Sequence, residues 1–182
     1  VHLTRGEALL GARAFQRAVD CYPLQAELHT ALSAALLDAG LSQEARDAAQ
    51  QALTIDPRSA AAHLHLANAE EQLGATPAAV EGLLREGLAL PAPAADEATL
   101  RCNLASQLLA QGRGGEALLV LAPVERLLER CPTPQRAGLH FYLGELLRLS
   151  GDVEAARGHF RASEALDPHG RHAAAAWRAA RS

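Results

Sequence analysis

Between residues 26 and 59 the apolar positions follow a helical period and then break twice. Leu28, Ala31, Leu32, Ala35 and Leu36 are spaced to fall on one helix face. Gly40 follows, where a helix end favours a residue that tolerates a left-handed backbone. Ser42 then offers an N-cap, and Ala45, Ala48, Ala49 and Ala52 form the stripe of a second helix. Asp56-Pro57 ends it, because proline disfavours helical geometry in the residue before it. The pattern predicts two antiparallel helices that approach closely across small residues. Neither buries its stripe alone, so the unit needs neighbours.

The punctuation recurs. Gly6, Gly40 and Gly74 are 34 residues apart, and so are Pro23, Pro57 and Pro91. A fixed period of this length signals a stacked helical repeat. Against the tetratricopeptide pattern W-x2-L-G-x2-Y, A-x3-F, P, His29 stands for the Trp, Leu32 for the Leu, Ser33 for the Gly and Leu36 for the Tyr. Ala45, Ala49 and Pro57 complete the match. The chain therefore resembles the tetratricopeptide repeat family over nearly its whole length. The resemblance implies an all-α fold, a right-handed superhelical α-solenoid of helix hairpins. It also implies a module that binds a peptide or helix of a partner protein in its concave groove.

The period divides the chain. Residues 1–25 read as a half-repeat with the second helix only, or an N-terminal cap, with Gly6 at the turn and Phe15 and Ala18 at packing places. The start at Val1, in mid-repeat, reads as a fragment of a longer protein or an atypical cap. Residues 26–59 and 60–93 are full repeats; in the latter, Gly82 and Gly87 predict close backbone packing or a looser joint. Residues 94–133 form a third repeat, with a lengthened loop at 91–96 and a second helix that runs to Arg130 with a kink or turn at Pro123. Residues 134–168 form the fourth, carrying Leu143, Gly144, Gly151, Ala156, Phe160 and Pro168. Residues 169–182 read as a capping helix with Trp177 as a lid and Arg171, Arg178 and Arg181 facing water.

Composition narrows the function classes. The net charge is −4 and all 17 basic residues are arginine, with no basic run, so no nucleic acid partner is expected. No apolar run is long enough for a membrane span. Cys21, Cys102 and Cys131 form no C-x-x-C pair, which points to a reducing compartment and a cytoplasmic location. His29, His63 and His140 share one repeat place, about 8–10 Å apart if the helices pack normally, too far for a common metal. There is no H-E-x-x-H, no G-x-S-x-G and no phosphate loop. The expectation is no enzyme, no cofactor and no metal.

Position matching to the family supplies the candidate site. The groove would be lined by Thr30, Ala34, Leu64, His65, Asn68, Cys102, Asn103, Ser106, Phe141, Tyr142 and Glu145. Asn68 and Asn103 coincide with asparagines that hold the ligand backbone in peptide-binding relatives. Relatives that grip an acidic C-terminal tail use lysines; this chain has none, and the matching places hold Thr30, Leu64, Gly138 and Tyr142. Such a tail is not an expected ligand. Leu9, Leu10, Phe15 and Val19 offer more apolar surface than one neighbouring helix covers, which predicts that the N-terminal half-repeat pairs with another copy, as a homo-oligomer, or with a missing upstream helix. A self-associating assembly scaffold and a substrate-recruiting segment of a larger enzyme are the alternatives.

Overall fold

The computed structural model describes residues 2–169 and 172–181, and all regular structure among them is helical. The helices fall into two compact units, Val1–Pro91 and Ala92–Ser182.

Unit one comprises α1 (His2–Cys21), α2 (Ala26–Asp38), α3 (Ser42–Ile55), α4 (Ala60–Gln72) and α5 (Pro77–Leu88). The pairs α2/α3 and α4/α5 form hairpins, α1 packs on α2, and α3 packs on α4. Their core runs through Ala12, Val19, Leu32, Leu36, Ala45, Ala48 and Ala69. The inner stripe of α3 is all alanine, with Ala45, Ala49 and Ala52 at 0% exposure, so the backbones of the hairpin come close. Ser33 uses that closeness: its hydroxyl donates to the Ala45 carbonyl at 2.8 Å. The hairpin turns where Gly40 adopts φ 73°, with its N–H on the Leu37 carbonyl and the Leu41 N–H on the Leu36 carbonyl. A side chain with a Cβ would be strained in that conformation.

Unit two comprises α6 (Ala94–Ala110), α7 (Gly114–Leu121), α8 (Val124–Leu128), α9 (Thr133–Leu149), α10 (Val153–Leu166) and α11 (Ala173–Ala179). Here α6 pairs with α7 and α9 with α10, α6 lies beside α9, and α11 packs on α10. Pro123 separates α7 from α8, whose Val124, Leu127 and Leu128 return to the core. Phe160 is the largest fully buried side chain. Its ring lies against Gly144, where an added Cβ would come within 2.8 Å of it.

Several expectations need correction. Gly6 lies inside α1 and not at a turn. The four extra residues of the third repeat do not make a loop. They extend α6 to 17 residues against 13 in α2, about one added helical turn. Ser42 does not cap α3; its hydroxyl reaches Gln72 Oε1 on α4 at 2.6 Å. Side-chain caps come instead from Ser59, Thr76 and Asp152, which accept from the N–H groups of Ala62, Ala79 and Ala155. Nothing approaches an added Cβ at Gly82, so close packing does not explain that glycine. Trp177 is no lid: it is 49% exposed, while Ala176 and Ala180 seal α11 onto the core. Arg171 lies outside the described residues. Among the described residues no helix is long and apolar enough to cross a membrane.

Candidate partner-binding faces

The candidate groove residues sit on the first helix of each hairpin, and burial sorts them. Leu64 and Cys102 are only 4% exposed, so they belong to the packing between helices and a ligand does not meet them. Burial pushes the Cys102 thiol up to about 12, which leaves it inert. Thr30 is half-buried, and its hydroxyl is spent on the Ala26 carbonyl at 2.9 Å. What stays accessible falls into pairs three residues apart, hence on one helix face. In unit one the pair is His65 and Asn68, both half-buried on α4. In unit two, α6 offers Asn103 and Ser106 and α9 offers Tyr142 and Glu145, on helices that lie side by side.

Each face has its own chemistry. On α4 the buried His65 Nδ1 has no hydrogen-bond partner. Burial holds that imidazole below its ordinary pKa, against the opposing pull of Asp38, so it is a neutral group. On α9 the Glu145 carboxylate accepts from Arg148 Nη2 at 2.8 Å. The two adjacent aromatics separate. Phe141 stacks on His172 at 4.6 Å between ring centres and is half-buried. Tyr142 meets His172 edge-on at 5.2 Å and is 46% exposed, so of the two rings it is the more accessible.

The chain also holds a cleft that sequence reasoning did not find. It measures about 480 Å³ between α8, α9 and α10, and its walls include Glu125, Arg136, His140, His159 and Leu166. His140 Nδ1 and His159 Nδ1 are 2.9 Å apart, so one must donate and the other accept. Burial, then the neighbouring His159 and Arg136, lowers His140 to about 4, with Glu125 opposing. Burial also lowers His159, while Glu125, 3.5 Å from its Nε2, pulls the other way. His140 carried a sequence signal as a packing position. Its partner comes from the other arm of the hairpin, which nothing local announces. Among the described residues no group of three His, Cys, Asp or Glu side chains could hold a metal ion.

The apolar first helix is partly consumed. Val19 is buried against α2 and is not part of an open patch; Leu9, Leu10 and Phe15 remain exposed.

A family model for the tetratricopeptide repeat matches residues 1–60, 35–98 and 102–171. No curated protein matches the sequence. Among solved structures, the thermophilic repeat protein TTC0263 of Thermus thermophilus superposes with a TM-score of 0.77 at 17% identity, covering 96% of this chain and 91% of that one. YrrB, described as a repeat protein with an unusual peptide-binding site, gives 0.58 at 21% identity over 93% of this chain and 81% of its own. The hetero-tetramer Cut9-Hcn1 gives 0.72 at 19% identity, covering 97% of this chain but 32% of that chain. At these identities the likeness speaks for the fold alone.

Proposed function

The chain belongs to the tetratricopeptide repeat family, and from that premise we propose that it is a protein-interaction module that takes a segment of a partner protein along its first-helix faces. The observation that carries this is the accessible set of half-buried Asn103 and Glu145 and exposed Ser106 and Tyr142, on two adjacent helices whose neighbouring residues Leu104, Ala105, Leu108, Leu143 and Leu146 are buried. These faces combine amides and a hydroxyl, which pair with a peptide backbone, with one exposed ring that takes an apolar anchor. His65 and Asn68 form the corresponding face of unit one. The peptide-binding site in YrrB's description is an analogy for this use. A reducing, cytoplasmic setting suits three cysteines that are all free thiols.

The anchor carries most of the affinity, since truncating a central aromatic typically costs upwards of ~2 kcal/mol. Each amide contributes roughly 0.5–1.5 kcal/mol, because its bonds replace bonds to water. The test is capture of a partner from the source cell, followed by titration of the purified partner segment. Tyr142→Ala should weaken binding more than about tenfold and Asn68→Ala or Asn103→Ala several-fold each. Gln50→Ala on α3 and Arg161→Ala on α10 should stay within about twofold. The reverse order would place binding on the second helices and overturn the proposal. An acidic C-terminal peptide should bind no better than about millimolar, for want of lysines.

A further inference from the structure

The cleft between α8, α9 and α10 lies where Pro123 has broken the second arm of the third repeat. In unit one the unbroken α3 packs along α4, whereas in unit two it is the five-residue α8 that meets α9. The space beside it is about 480 Å³, within the range of small-molecule sites. Leu128, Ala162, Ala165 and Leu166 give it an apolar floor. Along one wall three side chains form a relay whose protons can be assigned. The Glu125 carboxylate lies 3.5 Å from His159 Nε2, and a bare nitrogen there would face it lone pair to lone pair. The proton of the neutral His159 ring therefore sits on Nε2, and its Nδ1 is an acceptor. His140 Nδ1, 2.9 Å away, must then be the donor. Burial keeps both rings neutral. His140 is left with an unprotonated Nε2. Among the described residues nothing bonds to that nitrogen, and it is not sealed from solvent.

We propose that this cleft binds a small uncharged molecule with an apolar body and one N–H or O–H group, which donates to His140 Nε2. Indole and phenol belong to the class. The apolar body covers the floor, and the donor meets the open lone pair. Charge is disfavoured in either sign. Glu125 and Glu129 repel an anion, Arg136 repels a cation, and each would give up hydration against a mostly apolar surface. Glu125 and His159 act as positioning residues, because together they fix which nitrogen of His140 carries the proton. The site shares no residue with the partner faces on α4, α6 and α9.

The test titrates indole and N-methylindole into the isotope-labelled chain at neutral pH, since the methyl group removes the donor. Indole should bind with a dissociation constant below about 1 mM, shifting the resonances of His140, Ala162 and Ala165 and leaving Asn103 and Glu145 unmoved. N-methylindole should bind at least about threefold more weakly, the worth of one neutral hydrogen bond. His140→Phe, with helical circular dichroism unchanged, should bind the two equally. Glu125→Gln, at an exposed position, should shrink the preference for indole while keeping N-methylindole within about twofold, which a general loss of structure would not do. The imidazole nitrogen shifts of the free wild-type chain need no variant, and should place the His140 proton on Nδ1. A His140 ring protonated on Nε2 would overturn the proposal. So would equal binding of indole and N-methylindole by the wild-type chain, or no binding of indole up to its solubility limit.

Discussion

The hairpins α2/α3 and α9/α10 solve one packing problem with opposite side chains. In the first, Ser33 faces a stripe of alanines and ties the two arms together with a hydrogen bond to the Ala45 carbonyl. In the second, Gly144 clears space for the Phe160 ring. The first closes over small side chains on both arms, and the second trades a glycine on one arm for a large ring on the other. On the outer side of the same first helices the contrast reverses in meaning. Where α9 exposes Tyr142 and Glu145, α2 has Ala31 and Ala34. The repeat period therefore fixes which positions are core and which are face, while the side chains placed there decide how tightly the arms join and whether the face can hold anything.

The largest expected effect comes from emptying the larger slot. Phe160→Ala should cost unit two about 3–5 kcal/mol, read as a lowered denaturant midpoint, because the rigid glycine backbone opposite cannot fill the cavity. Ala49→Phe attacks the comparison from the other side. Alone it should cost about 1–3 kcal/mol by overpacking. Combined with Ser33→Gly it should recover much of that loss, since the pair then reproduces Gly144 and Phe160. Simple additivity in the double-mutant cycle would break the idea of one shared volume.

A pH titration separates the hairpins next. His140 and His159, between α9 and α10, both have folded-state pKa values below the ordinary 6.5. The folded state therefore binds fewer protons than the unfolded one. Their contribution is complete above pH 6.5 and is lost as the pH falls through that value towards the His140 value of about 4. His140→Gln should flatten the decline in melting temperature between about pH 7 and 4.5. An unchanged slope would show that the half-buried pair does not govern it. The smallest effect is a gain: Gly82→Ala on α5, in open space, should stabilise by up to about 1 kcal/mol.

Much of this frame was legible in the sequence, because glycine and proline punctuation acts locally. Gly40, Gly74, Gly112 and Gly151 all adopt positive φ at hairpin turns, and Pro123 breaks its helix. Gly6 shares the spacing but lies within a continuous helix, since a glycine permits a turn without enforcing one. The stretch after Pro91 looked like a loop because two prolines flank Ala92. The second of them, Pro93, sits at the N-cap of α6, and the helix forms from Ala94 onward. The site was less legible. That Leu64 and Cys102 are buried while His65 and Asn103 beside them are accessible depends on how neighbouring first helices pack, which no local pattern encodes. The division between Phe141 and Tyr142 likewise depends on His172, far along the chain, settling on one ring and touching only the edge of the other.

On the function proposed above, a partner segment lies along the first helices and is held most strongly where α9 exposes Tyr142. Chemical-shift mapping of the isotope-labelled chain, with and without its captured partner, tests this most directly. The expected perturbations centre on Asn103, Ser106, Tyr142 and Glu145, with weaker ones at His65 and Asn68 and quiet resonances for Gln50 and Arg161. Perturbations concentrated on α3 and α10, with Tyr142 unmoved, would contradict it.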